Sequence, residues 1–321
     1  MNTIPSTFNE YQIQYTVLGG TEDVPSVKLP IAVILLNTGI GGLYRAKILD
    51  NLIKNGFCSI VSIDKTDDNY NIEDFARLSP CVKFIVPHTP VSVGDMINLG
   101  MAEVEAENVL VINDSIHINS MLISHNIIEK YVNGKNVCLV PRLVNAQRQQ
   151  LPVRFSPIVE NAVLKAMPSA LISDGVPTLY PFDFVGIYNK ERFIKLGGFD
   201  HTITTPYWQK MDFFVRAWLW GDSVLMTPLF QLAYDDVVSV ENSTPDKSHL
   251  RFFLKNCAPK FAGNRCYIPI SKFFQYKNRS GSTFSEAYKH FREARRWVEK
   301  NKYRFKQDVS MLLTSWGEAI K

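Results

Sequence analysis

Between residues 31 and 112, short continuous apolar runs alternate with stretches of helical period, and that rhythm admits few folds. Ile31 to Leu36 carries no polar residue, as a strand covered on both faces of a parallel sheet would. After it, Leu43, Ala46, Leu49, Leu52 and Ile53 fall on one helical face, and Gly56 ends the helix. Cys58 to Ile63 is a second strand, Phe84 to Val86 a short third, and the helix Val93 to Ala106 leads into a fourth, Val109 to Ile112. Strand and helix alternating at these intervals specify an α/β fold around a mainly parallel sheet flanked by helices.

In such sheets ligands bind beyond the carboxyl ends of the strands. The polar residues at those ends are Asn37-Thr38, Asp64 and Asn113-Asp114, far apart in sequence but brought together by folding. Each has a plainer reading. Asp64 could be a turn carboxylate beside Asp67 and Asp68, and Asp114 could cap a following turn. The Gly39-Ile40-Gly41-Gly42 run lacks the Lys and Ser or Thr of a P-loop and the full spacing of a dinucleotide site, which favours a simple strand-to-helix turn.

A second informative stretch runs from Asp183 to Gly221. It predicts a short strand, a helix carrying Lys190 to Lys195, a Gly197-Gly198 turn, an acid-bearing loop and an aromatic-rich helix closed by Gly221. Beyond the glycines, Asp200, His201 and Asp212 are the side chains suited to taking up a proton. Asp212 and Arg216, spaced i,i+4, could equally form a helix ion pair. Trp208, Trp218 and Trp220 fit either core or pocket wall.

Gly197, Gly198, Phe199, Asp200, Asp212, Arg216 and Gly221 fall in register with the G-G-F-D and E-D-x-D…R…G pattern of family 2 glycosyltransferases of GT-A fold, which this stretch resembles. Val109 to Ser115 resembles the strand that delivers the family's D-x-D, with Asn98, Leu99, Gly100 and Ala102 before it at the family's spacing. The resemblance covers roughly residues 30 to 225. It implies transfer of a sugar from a nucleotide-sugar donor, with Asn37, Thr38 and Asp64 at the base and ribose of a uridine-type nucleotide. Asn113 and Asp114 would then face the diphosphate, with Asp114 a ligand to Mg²⁺ or Mn²⁺. It also implies an inverting displacement in which a carboxylate takes the proton of the attacking hydroxyl, Asp212 first and Asp200 next. Both acidic motifs depart from the pattern: Asn113-Asp114-Ser115 keeps one carboxylate of the D-x-D, and Gln209-Lys210-Met211-Asp212 lacks the usual acid pair. Weak metal dependence is the expectation.

The chain has 321 residues, 46% of them hydrophobic, enough for a large core. Its five cysteines form no C-x-x-C pair, as in a protein of the reducing cytosol, and no apolar run approaches the ~20 residues of a membrane span. A cytoplasmic protein is expected. The formal charge of +4 is unevenly spread: Lys247 to Lys306 holds sixteen Lys or Arg against three Glu, a net +13, whereas residues 1 to 246 carry −8. The expected organisation is an N-terminal arm (1–29), a GT-A-like domain (30–240) and a basic, mostly helical extension (241–321), with a helix over Thr283 to Phe305 whose one face is basic. Such a tail points to a polyanionic partner, and interleaved aromatic and basic residues favour DNA, with a hydroxymethylated base as acceptor, over an anionic membrane surface. Trp208, Arg292, Arg295 and Arg296 are the residues expected at the acceptor. The alternatives are a transferase acting on a membrane-associated glycan and a non-catalytic binding protein of GT-A shape.

Overall fold

The computed structural model describes residues 12–27, 29–38, 42–65, 71–117, 136–234 and 241–318. Most of the Gly39–Gly42 turn, Asp67 and Asp68 lie outside the described residues.

In chain order the elements are β1 (Tyr15–Gly19), β2 (Leu29–Asn37), α1 (Gly42–Asn55), β3 (Phe57–Asp64), α2 (Ile72–Leu78), β4 (Val82–Pro87), α3 (Val93–Glu103), β5 (Asn108–Asn113) and β6 (Ile116–His117). Then follow β7 (Asn136–Val144), β8 (Arg154–Glu160), β9 (Val163–Ser169), β10 (Gly186–Asn189), α4 (Lys190–Leu196), α5 (Pro206–Trp220) and β11 (Ser223–Tyr234). Last come α6 (Lys247–Phe252), β12 (Lys260–Ala262), β13 (Arg265–Tyr267), α7 (Ser271–Ser280), α8 (Phe284–Asn301) and α9 (Val309–Glu318).

Nine strands form one sheet in the order β1-β4-β3-β2-β5-β10-β7-β11-β6. β4, β3, β2 and β5 pair in parallel, as do β7 and β11, while β1, β10 and β6 run against them. The mainly parallel α/β sheet expected from the apolar runs is thus present, with β1 as an antiparallel edge. Ile31 to Leu35 and Val109 to Ile112 are fully buried, which is why those runs carry no polar residue. Two hairpins, β8–β9 and β12–β13, stand outside this sheet.

Helix α3 shows how local chemistry seats an element on the sheet. Ser92 and Asp95 form a reciprocal capping box at its N-terminus. Gly100 lets the helix approach β2 so closely that a Cβ there would lie 2.7 Å from Ile34 Cδ1. The C-terminal segment joins the same core: Phe252, Leu254, Phe291, Trp297, Phe305, Leu312 and Trp316 belong to one hydrophobic cluster with the sheet. Its rings interlock with α5, Trp220 stacking near Trp297 and Trp218 meeting Trp316 edge-on.

Candidate active site

Strand register decides where the polar strand ends fall. Asn37 pairs with Asp64 across β2 and β3, and Leu36 with Asn113 across β2 and β5, so the expected donor residues share one edge of the sheet. Thr38 Oγ1 donates to Asp114 Oδ1 at 3.4 Å, and the Asp114 amide bonds the Leu36 carbonyl at 3.0 Å. Asn37 Nδ2 turns inward to Ser62 Oγ and the Ile63 carbonyl.

Asp64 has a partner that periodicity did not reveal. Arg45, on α1, grips both of its oxygens at 3.0 and 2.9 Å and also reaches Ser62, while its guanidinium lies over the rings of Phe75 and Phe84. The pair is buried, and any donor contact by Asp64 would be shared with Arg45.

Beside Asn113 stands a residue that the sequence did not mark as functional. Asp183, in a short 3₁₀ turn (Phe182–Phe184) before β10, accepts at Oδ2 from Asn113 Nδ2 and from Tyr234 Oη at 3.2 Å. Its backbone is left-handed, φ 50°, and so is that of Phe184, φ 62°. Non-glycine residues so held cost about 1–3 kcal/mol each and persist only when the surroundings enforce them. Here Phe184 is buried edge-on to Phe199, its carbonyl accepts from Tyr188 Oη at 2.8 Å, and Phe182 stacks on Phe155. Burial raises the Asp183 carboxyl above its usual range, against the opposing charge of Lys210 and the bonds from Tyr234 and Asn113.

Asp200 and Asp212 also meet, but in a different setting. Lys255 Nζ bridges them at 2.8 and 2.7 Å, Arg216 bonds Asp212 Oδ2, and Asn256 Nδ2 donates to Asp212 Oδ1 at 2.8 Å. Arg216 also holds the Gly198 carbonyl at 2.6 Å, and Thr202 donates twice to Asp200. All four charged side chains are at most 1% exposed. Burial alone would raise the Asp200 carboxyl, but the Lys255 and Arg251 charges hold it well below the usual range. Lys255 and Asn256 come from a turn of π-helix, Phe253–Cys257, that continues α6 and brings both side chains to the acids. The i,i+4 ion pair of Asp212 and Arg216 is therefore real, and an acceptor hydroxyl could reach either acid only after Lys255 and Asn256 withdrew.

The departures from the acidic motif have structural partners. Gln209 accepts from the Gly94 amide at 3.1 Å and donates to Ser92 Oγ at 2.6 Å, tying α5 to the cap of α3. Lys210 is buried in an ion pair with Glu241, near the rings of Phe184 and Tyr180; Tyr180 Oη bonds the other Glu241 oxygen at 2.8 Å. Asn98 donates to the Phe199 carbonyl and accepts from its amide, both at 2.9 Å, fixing the G-G-F-D loop against α3.

Of the residues expected at an acceptor, Trp208 is fully buried, with its indole N–H on the Thr244 carbonyl and its ring 4.6 Å from that of His249. It is core and not an acceptor contact, because the segment after β11 closes over α5. Arg292, Arg295 and Arg296 are exposed on α8, along a groove of about 890 Å³ whose other walls include Ile270, Phe274 and Phe284. Among the described residues no group of three or more His, Cys, Asp or Glu is placed to hold a metal, and no helix is long and apolar enough to cross a membrane.

No family model matches the sequence, and no curated protein does. Solved structures do. GalNAc-T7, crystallised with UDP, GalNAc and Mn²⁺, matches at a TM-score of 0.60 and 12% identity over 90% of this chain. The chain spans 57% of that protein's length. TarS residues 1–349 from S. aureus match at a TM-score of 0.43 and 14% identity, over 82% of this chain and 70% of that one. At such identities likeness is one of architecture, and the chain has the GT-A fold found in glycosyltransferases.

Proposed function

We propose that the protein transfers a sugar from a nucleotide-sugar donor, of UDP type, to an acceptor hydroxyl, with inversion at the anomeric carbon. The observation that carries this reading is the convergence of Asn37, Thr38, Asp64, Asn113 and Asp114 at the carboxyl edge of a GT-A sheet. Support also comes from GalNAc-T7, a similar fold that holds UDP, GalNAc and Mn²⁺. The donor set for a metal is thin. Among the described residues Asp114 is the carboxylate that bonds Thr38, so Mg²⁺ or Mn²⁺ would be held by Asp114 with the diphosphate supplying most of the oxygens, and would neutralise charge on the leaving group. Asp212 and Asp200, sealed with Lys255 and Arg216, serve in this reading to lock the Gly197-Gly198 loop.

For the acceptor we propose a nucleic acid. What supports this is the Arg292, Arg295 and Arg296 face beside exposed rings, which pairs cations for phosphates with surfaces for stacked bases. A base in a duplex would have to be flipped out to receive the sugar. The direct test of the donor reading is release of UDP from a panel of UDP-sugars, with and without Mn²⁺. Release above the uncatalysed rate that survives mild chelation is expected; no release and no UDP-dependent rise in Tm would defeat the reading.

A further inference from the structure

If the sheet edge is a donor site, as proposed above, some group nearby must accept the proton of the attacking hydroxyl. The acids near that edge differ in what their oxygens already hold. Asp64 has both oxygens on Arg45, and Glu241 has one on Lys210 and the other on Tyr180. Asp212 and Asp200 are enclosed with Lys255. Asp114 faces Thr38, on the side assigned to the diphosphate.

Asp95, at the start of α3, has both its donors from Ser92 on Oδ2, but its Oδ1 is sealed from solvent. Asp183 differs from all of these in the combination of three features. Both donors that reach it, Asn113 Nδ2 and Tyr234 Oη, bond the same oxygen, Oδ2, so Oδ1 has no donor among the described residues. The residue is only partly buried, whereas Asp64, Asp200 and Asp212 are closed off with their cations. It is also fixed by a left-handed backbone at Asp183 and Phe184, one hydrogen bond from the end of the strand that carries Asn113 and Asp114. Such a backbone, enforced by the Phe184 and Tyr188 contacts, aims a side chain at a place that an extended strand end would not reach.

We propose that Asp183 is the catalytic base. Its Oδ1 takes the proton of the attacking hydroxyl as that oxygen bonds to the anomeric carbon; the bond from that carbon to the diphosphate oxygen breaks, and its electron pair leaves with the nucleoside diphosphate. The proton passes to water after release. Asn113 and Tyr234 are positioning residues, holding Oδ2 so that Oδ1 faces the acceptor. Burial raises the Asp183 carboxyl, and the charge of Lys210, itself paired with Glu241, opposes that rise.

Asp183→Asn is the decisive variant, because Asn tolerates the left-handed conformation and keeps the side-chain shape. With UDP release from UDP-glucose, UDP-galactose and their N-acetyl forms as the assay, kcat should fall roughly 10²–10⁴-fold. The Kd for UDP should stay within about threefold and Tm should hold. Tyr234→Phe should lower kcat less and move the acid limb of the kcat/KM profile to higher pH, since it removes a donor that stabilises the carboxylate. Asp183→Asn retaining wild-type kcat would overturn the assignment while leaving glycosyl transfer standing. Recovery of the variant at high Mn²⁺, or a loss of UDP affinity as large as the loss of rate, would overturn it too, by making Asp183 a metal or donor ligand. Should Asp183→Asn fail to fold, an unmoved acid limb in Tyr234→Phe would overturn it. A wild-type protein that neither binds UDP nor releases it from any of these donors would remove the donor reading and this assignment together.

Discussion

Two kinds of acid in this protein show opposite uses of the same chemistry. Asp200 and Asp212 are enclosed, each oxygen engaged, with Lys255 and Arg216 balancing their charge. Asp183 lies at the carboxyl edge of the sheet, partly buried, with a hydroxyl and a side-chain amide as its hydrogen-bond donors. An ion removed from water loses several kcal/mol of solvation, so a buried cluster holds only while every partner remains. A partly buried acid with neutral donors can gain and lose a proton without unfolding anything. Proximity of carboxylates therefore says little about catalysis until their partners are counted.

The largest expected effect breaks the enclosed group. Lys255→Met leaves two buried carboxylates facing one guanidinium and should cost about 3–5 kcal/mol in denaturant-induced unfolding. Asp183→Asn should change stability by less than about 1 kcal/mol, since the Asn side-chain oxygen can still accept from Asn113 and Tyr234. If the two variants were destabilised equally, the contrast between enclosed and open acids would fail.

Next in size is Arg45→Met, which strands Asp64 beneath α1. A loss of about 3 kcal/mol is expected, and a similar loss in Asp64→Ala, with little further loss in the double variant because the two share one interaction. Additive losses would show that Asp64 and Arg45 act separately.

A smaller effect concerns pH. Burial, with the Arg279 charge adding to it, lowers the His249 pKa from 6.5 to about 4, against the ring of Trp208. The folded pKa lies below the unfolded one, so unfolding takes up a proton as the pH drops. The stability from this group is present above about pH 6.5 and is lost progressively toward about pH 4. Unfolding free energy measured across that range should fall with decreasing pH, and His249→Phe should flatten the fall. An equal slope in the variant would assign the dependence elsewhere.

The smallest effect on stability, within about 0.5 kcal/mol, is expected for the Arg292→Ala, Arg295→Ala, Arg296→Ala triple variant, because all three are exposed. Retention on single-stranded DNA at low salt should nevertheless weaken, and the slope of log affinity against log salt should shrink by about 0.7 for each phosphate no longer neutralised. No retention of the wild-type protein would reduce this face to a solvated surface, and binding to anionic vesicles alone would assign it to a membrane.

Much of the fold was legible because its strands are buried on both faces. Ile31 to Leu36 and Val109 to Ile112 could hardly be anything else, and the residue where each run stopped marked the sheet edge. The site was legible only in part. Asn37, Asp64 and Asn113 were placed by those run ends, but Arg45 sits on a helix whose apolar stripe gives no sign that one turn of it is turned inward to an acid. Asp183 was missed because a left-handed backbone at a non-glycine residue has no compositional signature. Lys255 was counted in a basic tail, although its partner Asp200 is 55 residues away, and only the π turn brings them together. Trp208 was misjudged for the same reason, its cover being supplied by a distant segment.

A crystal structure of the protein with UDP and Mn²⁺ would show whether the carboxyl edge of the sheet is a nucleotide-sugar site. Uracil and ribose are expected against Asn37, Thr38 and Asp64, the diphosphate beside Asp114, and Asp183 Oδ1 open toward the position of the anomeric carbon. UDP bound elsewhere, or Asp183 turned away with Lys255 withdrawn from Asp212, would contradict this assignment.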